Sequence, residues 1–161
     1  MSLCLITGGA GFIGSSLARA LLARGDKVRI IDNFSSGKRE NIADFLDKID
    51  LIEGDILDDK ALVRAVEGAE LIFHEAAIPS VPKSMAEPVE NHAANATGTI
   101  RVLEQARRAR VRRVVYAASS AAYGEDPVLP KVETMAPAPI SPYGVSKLAG
   151  EYYCQDRKSV V

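Results

Sequence analysis

Residues 7–14 read TGGAGFIG and stand between a short apolar run, LCLIT at 3–7, and an amphipathic segment at 13–24. The spacing Gly-x-Gly-x-x-Gly begins at Gly9, and a second, wider spacing runs through Gly8, Gly11 and Gly14. Such glycines permit a tight turn, a close approach of backbone to a pyrophosphate and close packing of helix on strand. The start of the following helix adds free N–H groups and a positive dipole end. The stretch therefore predicts the opening unit of a dinucleotide-binding fold.

The alternation of strand and helix continues along the chain. Further apolar runs of the buried-strand type occur at 28–31, 50–53, 70–73 and 114–117. Helical patterns cover 58–66 and 89–109, the second with a weak point at Gly98, and a last helix is expected to start near Pro142. This alternation predicts an α/β fold, a Rossmann-type doubly wound parallel sheet.

Composition bounds the class of protein. The 161 residues are 47% hydrophobic and 25% charged, with a net charge of -1. These values fit one globular domain over 1–161 and give no electrostatic reason to expect nucleic acid or a membrane surface. No apolar run is long enough to span a bilayer. Cys4 and Cys154 lie far apart without nearby histidines, which predicts no metal site and no disulfide framework, and favours reduced thiols in a cytoplasm.

The predicted strands number one fewer than the six of a complete two-half dinucleotide fold. We therefore expect the chain to be a fragment, truncated after its last helix. The proline-rich, acidic stretch at 125–141 is too long and irregular for a plain connector, which predicts a functional loop near the strand ends.

One acidic residue ends the second strand and another follows the third. A carboxylate at Asp32 would accept hydrogen bonds from the adenosine ribose 2′-hydroxyl and repel a 2′-phosphate, which predicts NAD as the cofactor rather than NADP. Asp55 and Ile56 stand where an adenine ring would lie, the first accepting from its amine and the second forming an apolar wall. An N-cap for the next helix explains Asp55 equally well.

The fourth strand ends in HEAA at 74–77. Small side chains at Ala76 and Ala77 would let the backbone of a cofactor pass close by. For His74 we predict a hydrogen-bonded structural role rather than catalysis. His92, in a helix and without a metal-like partner, is predicted to be a surface or packing residue.

Tyr143 and Lys147 are four residues apart on the last predicted helix and so share a face. Free tyrosine, with a pKa of about 10, is a weak base at neutral pH, and a nearby ammonium favours the phenolate. Tyr143 could then remove a proton from a sugar hydroxyl as hydride leaves the same carbon. Ser119 and Ser120 end the fifth strand, where a hydroxyl could bridge Tyr143 to the substrate oxygen. A surface tyrosine–lysine pair and a serine turn remain the structural alternatives.

With these motifs in order, the sequence resembles the extended short-chain dehydrogenase/reductase family, in particular the NAD-dependent nucleotide-sugar epimerases and dehydratases. The matching segments cover nearly the whole chain; they are TGGAGFIGS, DNFSSGKREN, GDI, HEAA, SVPKS, NATGT, SSAAYG and SPYGVSK. The resemblance implies a catalytic triad of Ser119, Tyr143 and Lys147. It implies cofactor contacts at Gly8, Gly11, Phe12, Ile13, Gly14, Asp32, Asn33, Ser36, Gly37, Asp55, Ile56, Ala76, Ala77, Asn95, Tyr143 and Lys147, with Asn95 bracing the sheet behind the site.

Within the family, the segment at 119–124 has no carboxylate of the kind that dehydratases carry before the Tyr-Gly pair, and the chain looks most like the UDP-glucose and UDP-N-acetylglucosamine 4-epimerases. The resemblance implies sugar contacts at Ser80, Ser84, Ser119, Ser120 and Tyr143, a nucleotide-sugar substrate and a homodimer through helices at 89–109 and 143–156. Family members run to about twice this length, so we expect this chain to bind NAD(H) with little turnover. The alternatives are a dehydratase or reductase of the same family, or a non-catalytic NAD-binding module.

Overall fold

A computed structural model describes residues 2–156. Five parallel strands form one sheet in the order β3-β2-β1-β4-β5, which confirms the doubly wound architecture. The strands are β1 (Leu3–Thr7), β2 (Lys27–Asp32), β3 (Ile49–Glu53), β4 (Leu71–His74) and β5 (Arg113–Tyr116). The helices are α1 (Phe12–Ala23), α2 (Asp59–Val66), α3 (Val81–Ala86), α4 (Pro88–His92), α5 (Gly98–Arg108) and α6 (Pro142–Asp156).

The direction in which successive strands are added to the sheet reverses between β1 and β4. β2 and β3 lie on one side of β1, whereas β4 and β5 lie on the other. A cleft opens at such a switch point, at the carboxyl ends of the strands. One hydrophobic cluster fills the sheet face under α1, and a second fills the opposite face under α2 and α5. The layers therefore fix the position of the cleft.

Local signals set the ends of the first two helices. Gly25, at φ +87°, follows α1, and the N–H of Asp26 bonds to the carbonyl of Leu21 at 3.0 Å. This Schellman closure ends α1 at Gly25. The N-cap of α2 is Asp58, whose carboxylate accepts from Lys60 N at 2.8 Å. The N-cap alternative for Asp55 is therefore wrong, because Asp58 already satisfies the free N–H groups of that helix.

The helix predicted over 89–109 is interrupted. The structure has α4, a π-helical turn at Ala93–Thr97 and then α5. Gly98 stands where the turn meets α5, and a Cβ there would lie 2.5 Å from Ile56 Cδ1. A larger residue at position 98 would have to displace the end of the Ile56 side chain, which packs against the helix backbone there.

Three segments went unpredicted: the 3-10 turns at Arg39–Asn41 and Ala43–Lys48 and the short helix α3. Their sequences lack a sustained apolar period, so tertiary contacts decide their form. The 125–141 stretch has no regular helix or strand and stays largely exposed. None of the helices between residues 2 and 156 combines the length and apolar character that a membrane crossing requires.

His74 is buried at the end of β4 with a hydrogen bond at each ring nitrogen. Its Nδ1 lies 2.6 Å from Thr7 Oγ1, and its Nε2 lies 3.0 Å from Thr99 Oγ1. The hydroxyl of Thr99 donates to Asn95 O, so its oxygen is left to accept from Nε2–H. Burial, with a smaller contribution from the positive charge of Lys147, lowers the pKa of His74 to about 3. The structural role predicted for His74 is confirmed, while His92 is exposed.

His74 should make the fold sensitive to acid. Its pKa is below the value of 6.5 for an ordinary histidine, so the unfolded chain binds the extra proton first and stability falls as pH drops below that value. From about pH 6 to about pH 4, we expect the parent to lose about 2 kcal/mol more unfolding free energy than His74→Gln. Urea unfolding at both pH values measures this difference. The exposed His92→Gln variant should follow the parent; equal losses in His74→Gln and the parent would contradict the assignment.

Candidate active site

The glycine-rich turn is pressed against the ends of neighbouring backbone segments. Gly8 has φ +70°, and a Cβ on it would lie 2.8 Å from the Cα of Ala76 after β4. A Cβ on Gly14 would lie 2.7 Å from the Cα of Gly9. A side chain at either position would force backbone atoms apart, so the turn lies directly against the segment after β4 at Gly8 and against the first turn of α1 at Gly14.

The cleft follows the carboxyl edge of the sheet and has a volume of about 430 Å³. It runs from the segment after β3 to the segment after β4. The predicted residues that line it are Gly8, Gly11, Phe12, Ile13, Gly14, Asp32, Asn33, Ser36, Gly37, Asp55, Ile56, Ala76 and Ala77. Asn95, Tyr143, Lys147 and the four serines predicted to contact the sugar, Ser80, Ser84, Ser119 and Ser120, do not line this cavity.

Asp32 is bound to the turn itself. One carboxylate oxygen accepts from the N–H of Ala10 at 2.9 Å, and the other accepts from the N–H of Phe34 at 2.8 Å. Phe34 has φ 56°, a left-handed conformation that this hydrogen bond helps to hold. The carboxylate thus orders the loops on both sides of the cleft, and each oxygen keeps a further lone pair for a ligand.

Asp55 and Asn33 close the other end of the cleft. Asn33 Nδ2 donates to Asp55 Oδ2 at 2.7 Å, and the N–H of Leu57 donates to Asp55 Oδ1 at 2.8 Å. Ile56 lies next to them and is nearly buried. This end therefore combines a fixed carboxylate with an apolar wall, as an adenine site requires.

Sequence reasoning missed ten residues that also line the cleft. They are Ile31, Ser35, Gly54, Leu57, Glu75, Ile78, Pro79, Glu90, Ala93 and Ala94. Those beside strand ends could have been found from the rule that parallel strands present their carboxyl ends together. Glu90, Ala93 and Ala94 carry no such signal, because α4 and the π-helical turn reach the cleft only through tertiary packing.

Tyr143 and Lys147 both lie on α6. Lys147 is only 4% exposed, and its Nζ sits 4.3 Å from the centre of the Tyr116 ring. The hydroxyl of Tyr116 donates to the carbonyl of Lys147 at 3.1 Å. Burial lowers the pKa of Lys147 to about 8, against a raising effect of Glu75 and Cys154. The ammonium is therefore held in a partly desolvated place beside β5, stabilised by the ring face.

Ser119 caps the short 3-10 turn at Ser120–Tyr123, accepting from the N–H of Ala121 at 3.2 Å. The hydroxyl proton of Ser119 is not used in that bond and is free to donate. The turn packs directly on α6 at Gly144, where a Cβ would lie 2.7 Å from Ala121 O. Gly144 thus brings the start of the Tyr143 helix against the Ser119 segment, while Ser120 itself is exposed.

The remaining predicted residues sit behind or beside the cleft. Ser80 caps α3 by accepting from Lys83 N at 3.1 Å. Ser84 is fully buried and donates to Val81 O at 2.7 Å, so this structure does not bring it to a ligand surface.

Asn95 is buried as a brace behind the site. Its side chain accepts from the N–H of Ile78 at 2.8 Å and donates to Ser146 Oγ at 3.1 Å and to Asn91 Oδ1 at 3.3 Å. The hydroxyl of Ser146 in turn donates either to Tyr143 O, at 2.8 Å, or to Asn91 Oδ1, at 3.2 Å. This network of Asn91, Asn95 and Ser146 joins the cleft wall at Ile78 to the helix of Tyr143.

Comparisons with known proteins agree with this geometry. The UDP-glucose 4-epimerase of Mycolicibacterium smegmatis is 44% identical over 153 residues, covering 92% of this chain and 49% of that protein. The UDP-glucose 4-epimerase of Thermus thermophilus, solved in complex with NAD, superposes with a TM-score of 0.90 at 37% identity, covering 98% of this chain and 51% of that one.

The UDP-N-acetylglucosamine 4-epimerase of Methanobrevibacter ruminantium, solved with UDP-N-acetylmuramic acid, gives a TM-score of 0.91 at 34% identity, covering 98% of this chain and 51% of that one. The chain spans about half the length of the curated relatives it matches. The model of the NAD dependent epimerase/dehydratase family matches residues 4–159. Since that match takes in nearly the whole sequence, the chain belongs to the NAD dependent epimerase/dehydratase family.

Proposed function

We propose that this chain is the cofactor-binding and catalytic portion of an NAD-dependent nucleotide-sugar 4-epimerase that acts on UDP-hexoses through a transient 4-keto sugar. The observation that carries the proposal is the buried ammonium of Lys147, one helical turn from Tyr143 on α6. Burying a charge costs free energy that packing alone does not return. A positive charge near a tyrosine, in contrast, favours the phenolate that a base requires.

The residues of the cleft fit NAD. Its volume, its glycine turn and the carboxylate of Asp32 suit a pyrophosphate and an adenosine ribose without a 2′-phosphate. Asp55 and Ile56 would hold the adenine, and Ala76 and Ala77 would lie along the cofactor toward β4. When bound, NAD would accept a hydride from the sugar and give the same hydride back, which makes the reaction redox-neutral.

The side chains of α6 and of the 3-10 turn would handle the proton. Tyr143 Oη removes the proton of the sugar 4-hydroxyl and later returns it to the 4-keto oxygen. Lys147 stabilises the phenolate by its charge, and the free hydroxyl proton of Ser119 orients the substrate oxygen. Reversal of configuration requires the 4-keto sugar to turn over in the pocket between the two steps. We assign Ser80, Ser84 and Ser120 to the sugar side as the family resemblance implies, with Ser84 requiring a local rearrangement of α3.

An epimerase is favoured over a dehydratase by the segment at 119–124. It reads SSAAYG and carries no carboxylate, the group that a dehydratase would use to assist loss of a hydroxyl. A non-catalytic NAD-binding module is disfavoured by the joint presence of Ser119, Tyr143 and Lys147. These considerations support a nucleotide sugar as the substrate.

We further propose a homodimer and a cytoplasmic location. The helical regions 89–109 and 143–156 leave Val89, Val145 and Tyr152 exposed, apolar surface that a second copy could cover. The two thiols, Cys4 and Cys154, are unpaired, as is usual in a reducing compartment.

Asp32→Asn tests the choice of cofactor. The amide cannot repel a 2′-phosphate, and its NH₂ group would face one of the two backbone N–H donors that Asp32 now binds. We expect weaker NAD(H) binding and a preference for NADH over NADPH reduced about tenfold, or about 1.4 kcal/mol. Titration of the fluorescence of NADH and of NADPH with the protein measures both affinities. The chain has no tryptophan whose emission could overlap with the excitation of these cofactors. Asp55→Asn should weaken both cofactors alike; an unchanged preference in Asp32→Asn would refute the assignment.

Tyr143→Phe tests the chemistry. In the full-length protein we expect loss of UDP-galactose epimerisation by about a hundredfold or more, because the proton has no acceptor. NADH binding should stay near the parent value. Tyr153→Phe, which removes an exposed hydroxyl from the same helix, should retain activity. Retained turnover in Tyr143→Phe would overturn the mechanism.

The dimer is tested at Tyr152, which is exposed near the end of α6. We expect Tyr152→Glu to place a charge in the apolar contact and halve the mass measured by size-exclusion chromatography with light scattering. Tyr152→Phe should keep the parent mass. A monomeric parent, or a dimer that survives Tyr152→Glu, would count against this interface.

A further inference from the structure

Tyr116 of β5 contacts Lys147 at both ends of that residue. Its ring centre lies 4.3 Å from Lys147 Nζ, and its hydroxyl donates to the backbone carbonyl of Lys147 at 3.1 Å. Lys147 is buried, and between residues 2 and 156 its Nζ takes part in no ion pair and no hydrogen bond with a side chain. The negative face of the Tyr116 ring is therefore the contact that stabilises the ammonium at short range.

The ring of Tyr116 is fixed in place by its surroundings. Its centre lies 5.7 Å from that of His74, whose ring nitrogens are both hydrogen-bonded. On the side of α6 the chain has Gly150, where a Cβ would lie 2.7 Å from Tyr116 Cζ. The absence of a side chain at Gly150 leaves room for the ring. The tyrosine can therefore reach the Lys147 carbonyl with its hydroxyl while its ring lies under the Lys147 ammonium.

The two aromatic side chains at this place are uncharged at neutral pH. Burial raises the pKa of Tyr116 above its usual range, so its hydroxyl keeps the proton that it donates. Burial, with a smaller contribution from the charge of Lys147, lowers the pKa of His74 to about 3. A neutral His74 does not compete for the ring as a second cation would. The ring face of Tyr116 is therefore left to the Lys147 ammonium.

Other titratable groups face α6 from the elements packed against it. Burial lowers the pKa of Lys147 to about 8, whereas the charge of Glu75 raises it. Burial raises the pKa of Cys154 to about 11, so this thiol of α6 is neutral. The others are exposed or partly exposed; they are Tyr143, Glu151, Tyr152 and Tyr153 on α6, Tyr123 in the 3-10 turn, Arg113 on β5, Lys83, Glu87, Glu90 and His92 along α3 and α4, and Arg101, Glu104, Arg107 and Arg108 on α5.

We propose that Tyr116 positions Lys147 for the reaction: its hydroxyl fixes the backbone of the lysine, and its ring face holds the ammonium. Tyr116 does not line the cofactor cleft, so it acts on Tyr143 through Lys147. Gly150 is the residue of α6 that makes room for it. The inference rests on the proposed function for its link to turnover, whereas the contact between Tyr116 and Lys147 is a property of the folded chain.

Removal of the ring should lower the pH at which Lys147 titrates. Tyr116→Leu keeps the place apolar but has no ring face, so the ammonium loses stabilisation and its titration midpoint falls. For a desolvated cation over an aromatic ring we expect about a tenfold change in the protonation equilibrium, which is about one pH unit. Tyr116→Phe keeps the ring and lacks only the hydroxyl, so it should rescue most of the parent midpoint.

An NMR titration of the lysine side chains measures these midpoints. In protein labelled with ¹³C-lysine, the Cε signal of Lys147, assigned by its loss in Lys147→Arg, is followed with pH in the parent, Tyr116→Leu, Tyr116→Phe and Tyr153→Phe. The control residue Tyr153 lies on α6 and is exposed. A fall of about one pH unit confined to Tyr116→Leu supports the proposal. A parent midpoint in Tyr116→Leu, or an equal fall in either phenylalanine variant, overturns it.

Gly150→Ala tests the same contact without altering either residue in it. The new methyl group has to displace the Tyr116 ring, and alanine is the better helix former, so a weaker α6 cannot explain the result. We expect the Lys147 midpoint to fall in Gly150→Ala, and to fall no further when this change is added to Tyr116→Leu. Falls that add in the double variant, or a parent midpoint in Gly150→Ala, overturn the proposal. If Tyr116→Leu does not fold, the single variant Gly150→Ala decides.

The pH profile of kcat/KM in the full-length protein links the contact to turnover. The proposed reaction uses the ammonium form of Lys147, so the alkaline limit should fall with the NMR midpoint in Tyr116→Leu and be rescued by Tyr116→Phe. A lower NMR midpoint with an unchanged alkaline limit would overturn the link to Tyr143. If the parent has no epimerase activity at all, the proposed function fails, and the NMR titration still decides the contact between Tyr116 and Lys147.

Discussion

The contact between the glycine turn and the end of β4 is the constraint on which the site depends. Gly8 comes so near to Ala76 that a single methyl group would force the two segments apart. Because β1 and β4 are neighbours in the sheet, this contact sets the width of the cleft at the switch point. Asp32 extends the constraint to β2 by holding Ala10 and Phe34. A dinucleotide channel of fixed width therefore follows from backbone packing before any ligand is considered.

The second half of the site is organised by burial of charge. Desolvation lowers the pKa of Lys147. The ring face of Tyr116 and the charge of Glu75 offset part of this effect by stabilising the ammonium. Gly144 lets α6 approach the turn that carries Ser119, so the proposed base Tyr143, the ammonium of Lys147 and the hydroxyl of Ser119 come from only two elements. The cleft and this corner meet because β4 and β5 end side by side.

Local patterns were enough to predict the strands, the glycine turn, Asp32 and the pairing of Tyr143 with Lys147, because each depends on spacing within one element. The failures share a physical cause. The assignment of Asp55 as a possible N-cap could not be settled without knowing that Asp58 faces the helix. The π-helical turn and the place of Glu75 depend on contacts between residues far apart in sequence, such as Gly98 with Ile56. Ser84 shares a motif with exposed residues, yet only packing decides that its own side chain is covered.

The network of Asn91, Asn95 and Ser146 has a consequence for how such a sequence can vary. Each side chain serves as a partner of the other two, and all three are almost wholly buried. An apolar replacement at one position strands the donors or acceptors of the remaining pair, whereas a joint replacement of all three could repack without that penalty. The effect of a substitution at one of these positions therefore depends on the residues at the other two. We expect related sequences to keep all three residues or to replace all three, and sequences with a single replacement to be rare.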